Sequence, residues 1–228
     1  EPHDLEVTTV QMDRILDADL AVVVGGGFQA AVEDAARSRR GPTLVALDAP
    51  GVSGTDPHVW LDPLAFRAVV DALAARLARL DPRHRDEYRT RASTADARLG
   101  ALDARMRTSL ETCRRRTVLT SHAAFARFGR RYDLRVESIA GLDPEQEPDP
   151  RRLAALTDLA RRTGATTVFT EELVAPQVAE VLAREVGVRT AVLSPIESRP
   201  TGSGPWGYLG RMDRNRVALT RGLGCVSR

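Results

Sequence analysis

Residues 20–47, LAVVVGGGFQAAVEDAARSRRGPTLVAL, decide the fold class. Two short runs, Leu20 to Val24 (LAVVV) and Thr43 to Leu47 (TLVAL), are aliphatic or β-branched. Glycine, proline and aspartate bound them, as they commonly bound strands buried on both faces. Between the runs, Phe28 to Arg39 reads as a helix. Strand, helix and strand within about thirty residues form a βαβ unit, which closes into a parallel sheet. The spacing predicts an α/β lobe.

Outward from this unit, Asp62-Pro63 supplies an N-cap and an N1 proline for a helix to about Leu80, with Phe66, Val69, Val70, Leu73, Leu77 and Leu80 on one face. Asp81-Pro82 starts a longer one. Tyr88, Ala92, Ala95, Leu99, Leu102, Met106 and Leu110 recur at steps of four and three, interrupted only by Gly100, and predict a largely solvated rod with one packed seam. The alternation then resumes. Strands are expected at Thr117 to Thr120, Arg135 to Ile139, Thr166 to Thr170 and Arg189 to Leu193. Helices are expected at His122 to Arg131, Arg151 to Arg162, Pro176 to Val186 and Trp206 to Leu223, and loops at Glu145 to Pro150 and Arg199 to Pro205. The expected organisation is an N-terminal α/β lobe over 1–80, a linking helix over 81–116 and a C-terminal α/β lobe over 117–228.

Composition narrows the function. The chain has 228 residues and 33 basic against 31 acidic side chains, a formal net charge of +2, with the signs interspersed. Every base is arginine. Such a balance argues against nucleic acid as a partner, and 4% aromatics are too few for a base-stacking platform. No apolar run is long enough to span a bilayer. The chain opens at Glu1-Pro2-His3-Asp4 with no initiator methionine, signal peptide or lipid-attachment cysteine, and reads as a processed or truncated product. Cys113 and Cys225 leave two alternatives open, one disulfide or two buried thiols.

Two local signals bear on chemistry. Gly25-x-Gly27-x-x-Ala30, between strand and helix and with Asp48 ending the next strand, has the outline of a dinucleotide fingerprint, or of an ordinary glycine turn. The other signal is histidine. His3, His58 and His122 all sit in loops expected beyond the carboxyl ends of strands, where ligands gather in open α/β sheets, whereas His84 lies among arginines and reads as solvated. Imidazole is a favoured zinc donor, and three leave one place for a carboxylate, hydroxyl or water.

At these residues the chain resembles the metal-binding solute receptors of bacterial ABC importers, the ZnuA/TroA-like family. EPHDLEVTTVQMDRILDADL resembles the family's first ligand motif and following helix, DPHVWLDP the second motif and LTSHAAFARFGRRYDL the third. VESIAGLDPEQEPDPRRLAALTDLARRTGATTVFTEELVAPQVAEVLAREVGV resembles its C-terminal lobe, and LSPIESRPTG with GYLGRMDRNRVAL its closing segment. The resemblance implies two α/β lobes bridged by one long helix, with the metal site in the interlobe cleft. It also implies that the N-terminal lobe is without the strand and helix that usually precede the first motif.

Carried over position by position, the resemblance puts His3, His58 and His122 on metal ligands. A histidine rather than a glutamate at the third position favours Zn2+ over Mn2+. Where the family often has an aspartate, this sequence has Ser194, a poor zinc ligand, so water, Glu171 or Glu197 is expected to complete the shell. No histidine-rich insertion stands near Gly51 to Asp56. The implied function is extracytoplasmic capture of a divalent metal by a monomer, free in the periplasm or lipid-anchored, and its delivery to an ABC permease, without enzymatic activity. The alternatives are a zinc hydrolase with Glu171 or Glu172 as base, a dinucleotide-binding protein through Gly25, Gly27 and Ala30, and a metal-binding adhesin on the same scaffold.

Overall fold

The structure is a computed structural model that describes residues 2–142, 149–172, 176–198 and 207–226. The chain divides into two compact units, Glu1–Ala101 and Leu102–Arg228. The expected acidic loop at Glu145 to Pro150 and the loop at Arg199 to Pro205 fall largely or wholly outside the described residues.

In the first unit, α1 (Thr9–Asp17) is held at its start by a reciprocal cap: the Thr8 hydroxyl accepts from the Gln11 amide while the Gln11 side chain accepts from the Thr8 amide. Strands β1 (Ala21–Val23) and β2 (Thr43–Val45) pair in parallel, Val22 opposite Leu44, with α2 (Ala30–Ser38) between them in sequence. Both strands are shorter than the apolar runs suggest. The LAVVV run is cut by Gly25, Gly26 and Gly27, all at positive φ, and the end of TLVAL winds into a 3-10 turn over Ala46–Asp48. Helix α3 (Pro63–Leu80) starts as expected, Asp62 accepting from the amides of Leu64 and Ala65. Ala46, Ala49, Val59 and Val69 form a buried cluster beneath these elements.

The predicted rod is a 3-10 turn, Pro82–His84, followed by α4 (Arg85–Glu111), which runs across the division between the units. Its seam is as the periodicity predicts, with Leu99, Leu102, Met106 and Leu110 each at most 4% exposed. His84 stands at the start of this rod with its Nδ1 2.6 Å from Asp81. That hydrogen bond raises the His84 pKa and lowers that of Asp81.

The second unit is one parallel sheet in the order β4-β3-β5-β6: β3 (Thr117–Thr120), β4 (Arg135–Ser138), β5 (Thr167–Thr170) and β6 (Arg189–Val192). Helices α5 (Ala126–Tyr132), α6 (Pro150–Thr163) and α7 (Gln177–Val186) alternate with the strands, and α8 (Tyr208–Leu223) closes the chain. The helix expected from His122 begins later, because a 3-10 turn over Ala123–Phe125 intervenes. Leu119, Leu156, Val168 and Leu182 lie at the centre of the core. Among the described residues no helix is long and apolar enough to cross a membrane.

A disulfide and a cluster of hydrogen bonds tie the C-terminal end of α4 into this unit. Cys113 and Cys225 form a disulfide across 112 residues of chain, which settles the alternative the sequence left open. Asp103 takes both Arg131 Nε and Nη2 at 2.7 Å and the Tyr132 hydroxyl at 2.9 Å. Burial alone would push the Asp103 carboxyl up, but the hydrogen bonds from Arg131 and Tyr132 and the charges of Arg131 and Arg107 outweigh it and hold the carboxyl below its usual range.

Replacing Cys113 and Cys225 by serine is expected to lower unfolding free energy in denaturant titration by about 3 to 5 kcal/mol, since a long closed loop is released in the unfolded chain. Asp103→Ala is expected to cost about 2 to 3 kcal/mol at neutral pH. Because the folded pKa of Asp103 is depressed, this contribution is present above the ordinary aspartate range and is lost as pH falls through the folded value. The gap between wild type and variant should close in acid.

Candidate metal centre

In the first unit the segment Asp56-Pro57-His58 folds back on itself. Asp56 Oδ1 accepts the His58 backbone N–H at 3.1 Å and lies 2.9 Å from its ring Nδ1, and a 3-10 turn over Val59–Leu61 then carries the chain into α3. His58 is fully buried. With Nδ1–H directed at a carboxylate, the neutral ring takes the tautomer whose Nε2 lone pair can coordinate a metal. The His3 ring lies 5.8 Å from that of His58, centroid to centroid. Phe28 meets both edge-on, at 4.5 Å from His3 and 5.9 Å from His58, and Trp60 stands 5.4 Å from His58. These rings pack around His58, which is fully buried, and limit its tilt, while His3 stays part-exposed.

The glycine turn explains how Phe28 arrives there. At φ of 91°, 72° and 80°, Gly25, Gly26 and Gly27 bend the chain sharply out of β1, a path that side chains with a Cβ rarely follow. A dinucleotide fingerprint would need these amides for a pyrophosphate, but the Gly27 N–H donates to the carboxylate of Glu33 in α2, at 3.1 and 3.2 Å. An acid of the chain's own fills the anion position, which corrects the dinucleotide reading of Gly25, Gly27 and Ala30.

In the second unit, β3 and β5 are neighbours, so the residues just past their carboxyl ends come together. Glu171 Oε1 accepts the His122 backbone N–H at 3.1 Å, and Oε2 lies 2.6 Å from His122 Nδ1. His122 is fully buried and Glu171 is 7% exposed. The arrangement repeats that of Asp56 and His58 and again selects Nε2 for a metal. His122 Nε2 lies 3.8 Å from Glu197 Oε2. Two donors at about 2.0 to 2.2 Å from one tetrahedral zinc ion stand somewhat closer than this, so a small adjustment brings the pair to ligand spacing.

Glu197 belongs to the loop after β6, which the rest of the unit grips tightly. The Ser194 hydroxyl donates to Glu172 at 2.7 Å and accepts from Ile196 N at 3.1 Å and from Arg211 Nη2 at 2.7 Å. One hydrogen and two lone pairs are thereby used, and nothing is left for a metal. Asn215 accepts from the Ser194 amide at 2.8 Å and donates to its carbonyl at 2.7 Å. Between these anchors Ile196 sits at φ 63°. A β-branched residue in the left-handed region costs about 1 to 3 kcal/mol and persists only where its surroundings impose it.

The sequence-predicted residues therefore fall into two groups. His3 and His58 are neighbours in the first unit; His122, Glu171, Glu197 and Ser194 meet in the second, where Glu171 spends both oxygens on His122. His84 is apart from both. Asp56, Phe28, Trp60, Arg211 and Asn215 were not anticipated. Only Asp56 left a local signal, since an aspartate two residues before a histidine can turn back onto it.

The family profile described as "Zinc-uptake complex component A periplasmic" matches residues 1–222. The high-affinity zinc uptake system protein ZnuA of Bacillus subtilis is 30% identical over 98% of this chain and 77% of its own length. The zinc-binding protein AdcA of Streptococcus pyogenes is 29% identical over 86% of the chain, but the match spans only 44% of AdcA. Among solved structures, the laminin-binding protein Lmb of Streptococcus agalactiae, described as having adhesin and metal transporting activity, is 30% identical. It superposes with a TM-score of 0.88 over 98% of this chain and 87% of its own. Periplasmic zinc-binding TroA of Treponema pallidum, at 21% identity, shares the fold with a TM-score of 0.86, covering 97% of this chain and 87% of TroA. With nearly its whole length matched, the chain belongs to the family of periplasmic zinc-uptake component A proteins.

Proposed function

We propose that the protein captures one zinc ion outside the cytoplasmic membrane and delivers it to an ABC permease, with His3, His58, His122 and Glu197 as the four donors. The observation that carries the reading is the matched preparation of two buried histidines: Asp56 on His58 Nδ1 and Glu171 on His122 Nδ1. Three neutral imidazoles and one carboxylate suit zinc and make a four-coordinate shell. The family match supports the periplasmic setting and the permease partner. Zinc here is cargo, and the closed donor set suits a receptor better than an enzyme. Hydrolysis would require a carboxylate able to take a proton from a bound water, while Glu171 is engaged by His122 and Glu172 by Ser194, Ser198 and Arg211.

Purified protein should hold one equivalent of zinc by elemental analysis, and His58→Ala and His122→Ala should each lose it after dialysis. In calorimetry a hundredfold excess of zinc over its Kd should stabilise wild type by about 2.7 kcal/mol and leave these variants unmoved. Glu171→Gln should weaken zinc binding by about 10- to 100-fold in competition titrations, because the His122 ring loses its charged anchor. Stoichiometric zinc in His58→Ala at wild-type affinity would refute the assignment.

A further inference from the structure

The loop after β6 carries Glu197 between two serines, and a single buried guanidinium holds both. Arg211, in the first turn of α8 and 4% exposed, donates through Nη2 to the Ser194 hydroxyl at 2.7 Å, to the Ser198 hydroxyl at 3.0 Å and to Glu172 Oε2 at 2.7 Å. Its Nη1 donates to the Ser198 carbonyl at 2.6 Å. Glu172 Oε2 also accepts from both serine hydroxyls, at 2.7 and 3.0 Å. One turn along α8, Asn215 grips both backbone polar groups of Ser194.

We propose that Arg211 and Glu172 form a clamp that sets the position of Glu197 for the ion, so that zinc affinity depends on a residue pair that never touches the metal. The inference rests on Glu197 being a zinc donor. Three features of the loop carry it. The clamp closes on residues 194 and 198, either side of Glu197. Ile196, next to Glu197, is kept in a left-handed conformation that an isoleucine does not adopt unforced. Ser194 is saturated by the clamp and so serves as its hub and not as a ligand. Released from the guanidinium, Ile196 would relax to negative φ, and the loop with it would turn the Glu197 carboxylate away from the His122 Nε2 that it now faces at 3.8 Å. Lysine could keep the charge of Arg211 but has no second nitrogen to hold the Ser198 carbonyl, as Nη1 does, while the first meets the serine hydroxyls and Glu172.

The test is a double-mutant cycle on the full chain, read as zinc affinity by competition with a chromogenic chelator, with thermal unfolding of the metal-free proteins alongside. Arg211→Met should weaken zinc binding about 10- to 100-fold and Arg211→Lys should recover part of the loss. Glu197→Gln should weaken it at least as much as Arg211→Met. Adding Arg211→Met to Glu197→Gln should then cost less than about threefold more, since both changes remove the same donor. A purely structural role for Arg211 would give two losses that multiply in full, and that result overturns the clamp. So does zinc affinity in Arg211→Met within about threefold of wild type while Glu197→Gln is weakened. Unchanged affinity in Glu197→Gln would instead remove Glu197 from the donor set, and the clamp with it. If Arg211→Met does not fold, Ser198→Ala replaces it in the cycle. That change deletes two of the same hydrogen bonds, with an expected loss of about 2- to 10-fold under the same non-additivity criterion.

Discussion

An imidazole has two nitrogens, and a metal site works only if the protein decides which one is offered. In this chain the decision is made by carboxylates. Asp56 holds Nδ1 of His58 and Glu171 holds Nδ1 of His122, at 2.9 and 2.6 Å. Both rings are fully buried, where a polar group without a partner would cost free energy, so the same hydrogen bond that selects the tautomer also makes the burial tolerable. Each carboxylate also accepts the backbone N–H of the histidine it orients, which locks ring and main chain together. The two anchors arise differently. Asp56 reaches across two residues of one turn, whereas Glu171 reaches across the sheet from β5 to the end of β3.

The remaining architecture places these groups. Parallel strands bring His122 and Glu171 side by side because β3 and β5 are neighbours and both chains leave the sheet at the same end. The glycine turn after β1 swings Phe28 edge-on against His3 and His58, giving both rings an aromatic neighbour. Helix α8 holds the loop that bears Glu197, because Arg211 and Asn215 bond to the serines on either side of it. A carboxylate on a mobile loop would lose side-chain and backbone freedom on binding zinc; one held beforehand has lost that freedom during folding. The strained Ile196 is consistent with that arrangement, because its cost is met by the bonds on either side of it.

Much of the fold was legible in the sequence for local reasons. Helix spans follow from apolar steps of three and four and from caps such as Asp62-Pro63, and both are set by neighbours within a turn. Strand lengths were less legible. LAVVV and TLVAL are equally apolar along their length, but the glycines' positive φ and the turn at Ala46–Asp48 end the ladder early. His58 and His122 were visible through their setting after strands, and all three histidines through resemblance to the family's motifs.

The sequence by itself determined the α/β class and the long helix with its Leu99 to Leu110 seam, because periodicity and capping act over a few positions. Only the tertiary structure decided that both oxygens of Glu171 meet His122, one at its backbone N–H and one at its ring. Only there did Ser194 become saturated by Glu172 and Arg211, and the Gly27 amide become the partner of Glu33. Glu171 and His122 are 49 residues apart, and Arg211 and Glu172 are 39 apart. No local pattern can announce such pairs, since they exist only once parallel strands and the closing helix have brought distant segments within hydrogen-bond reach.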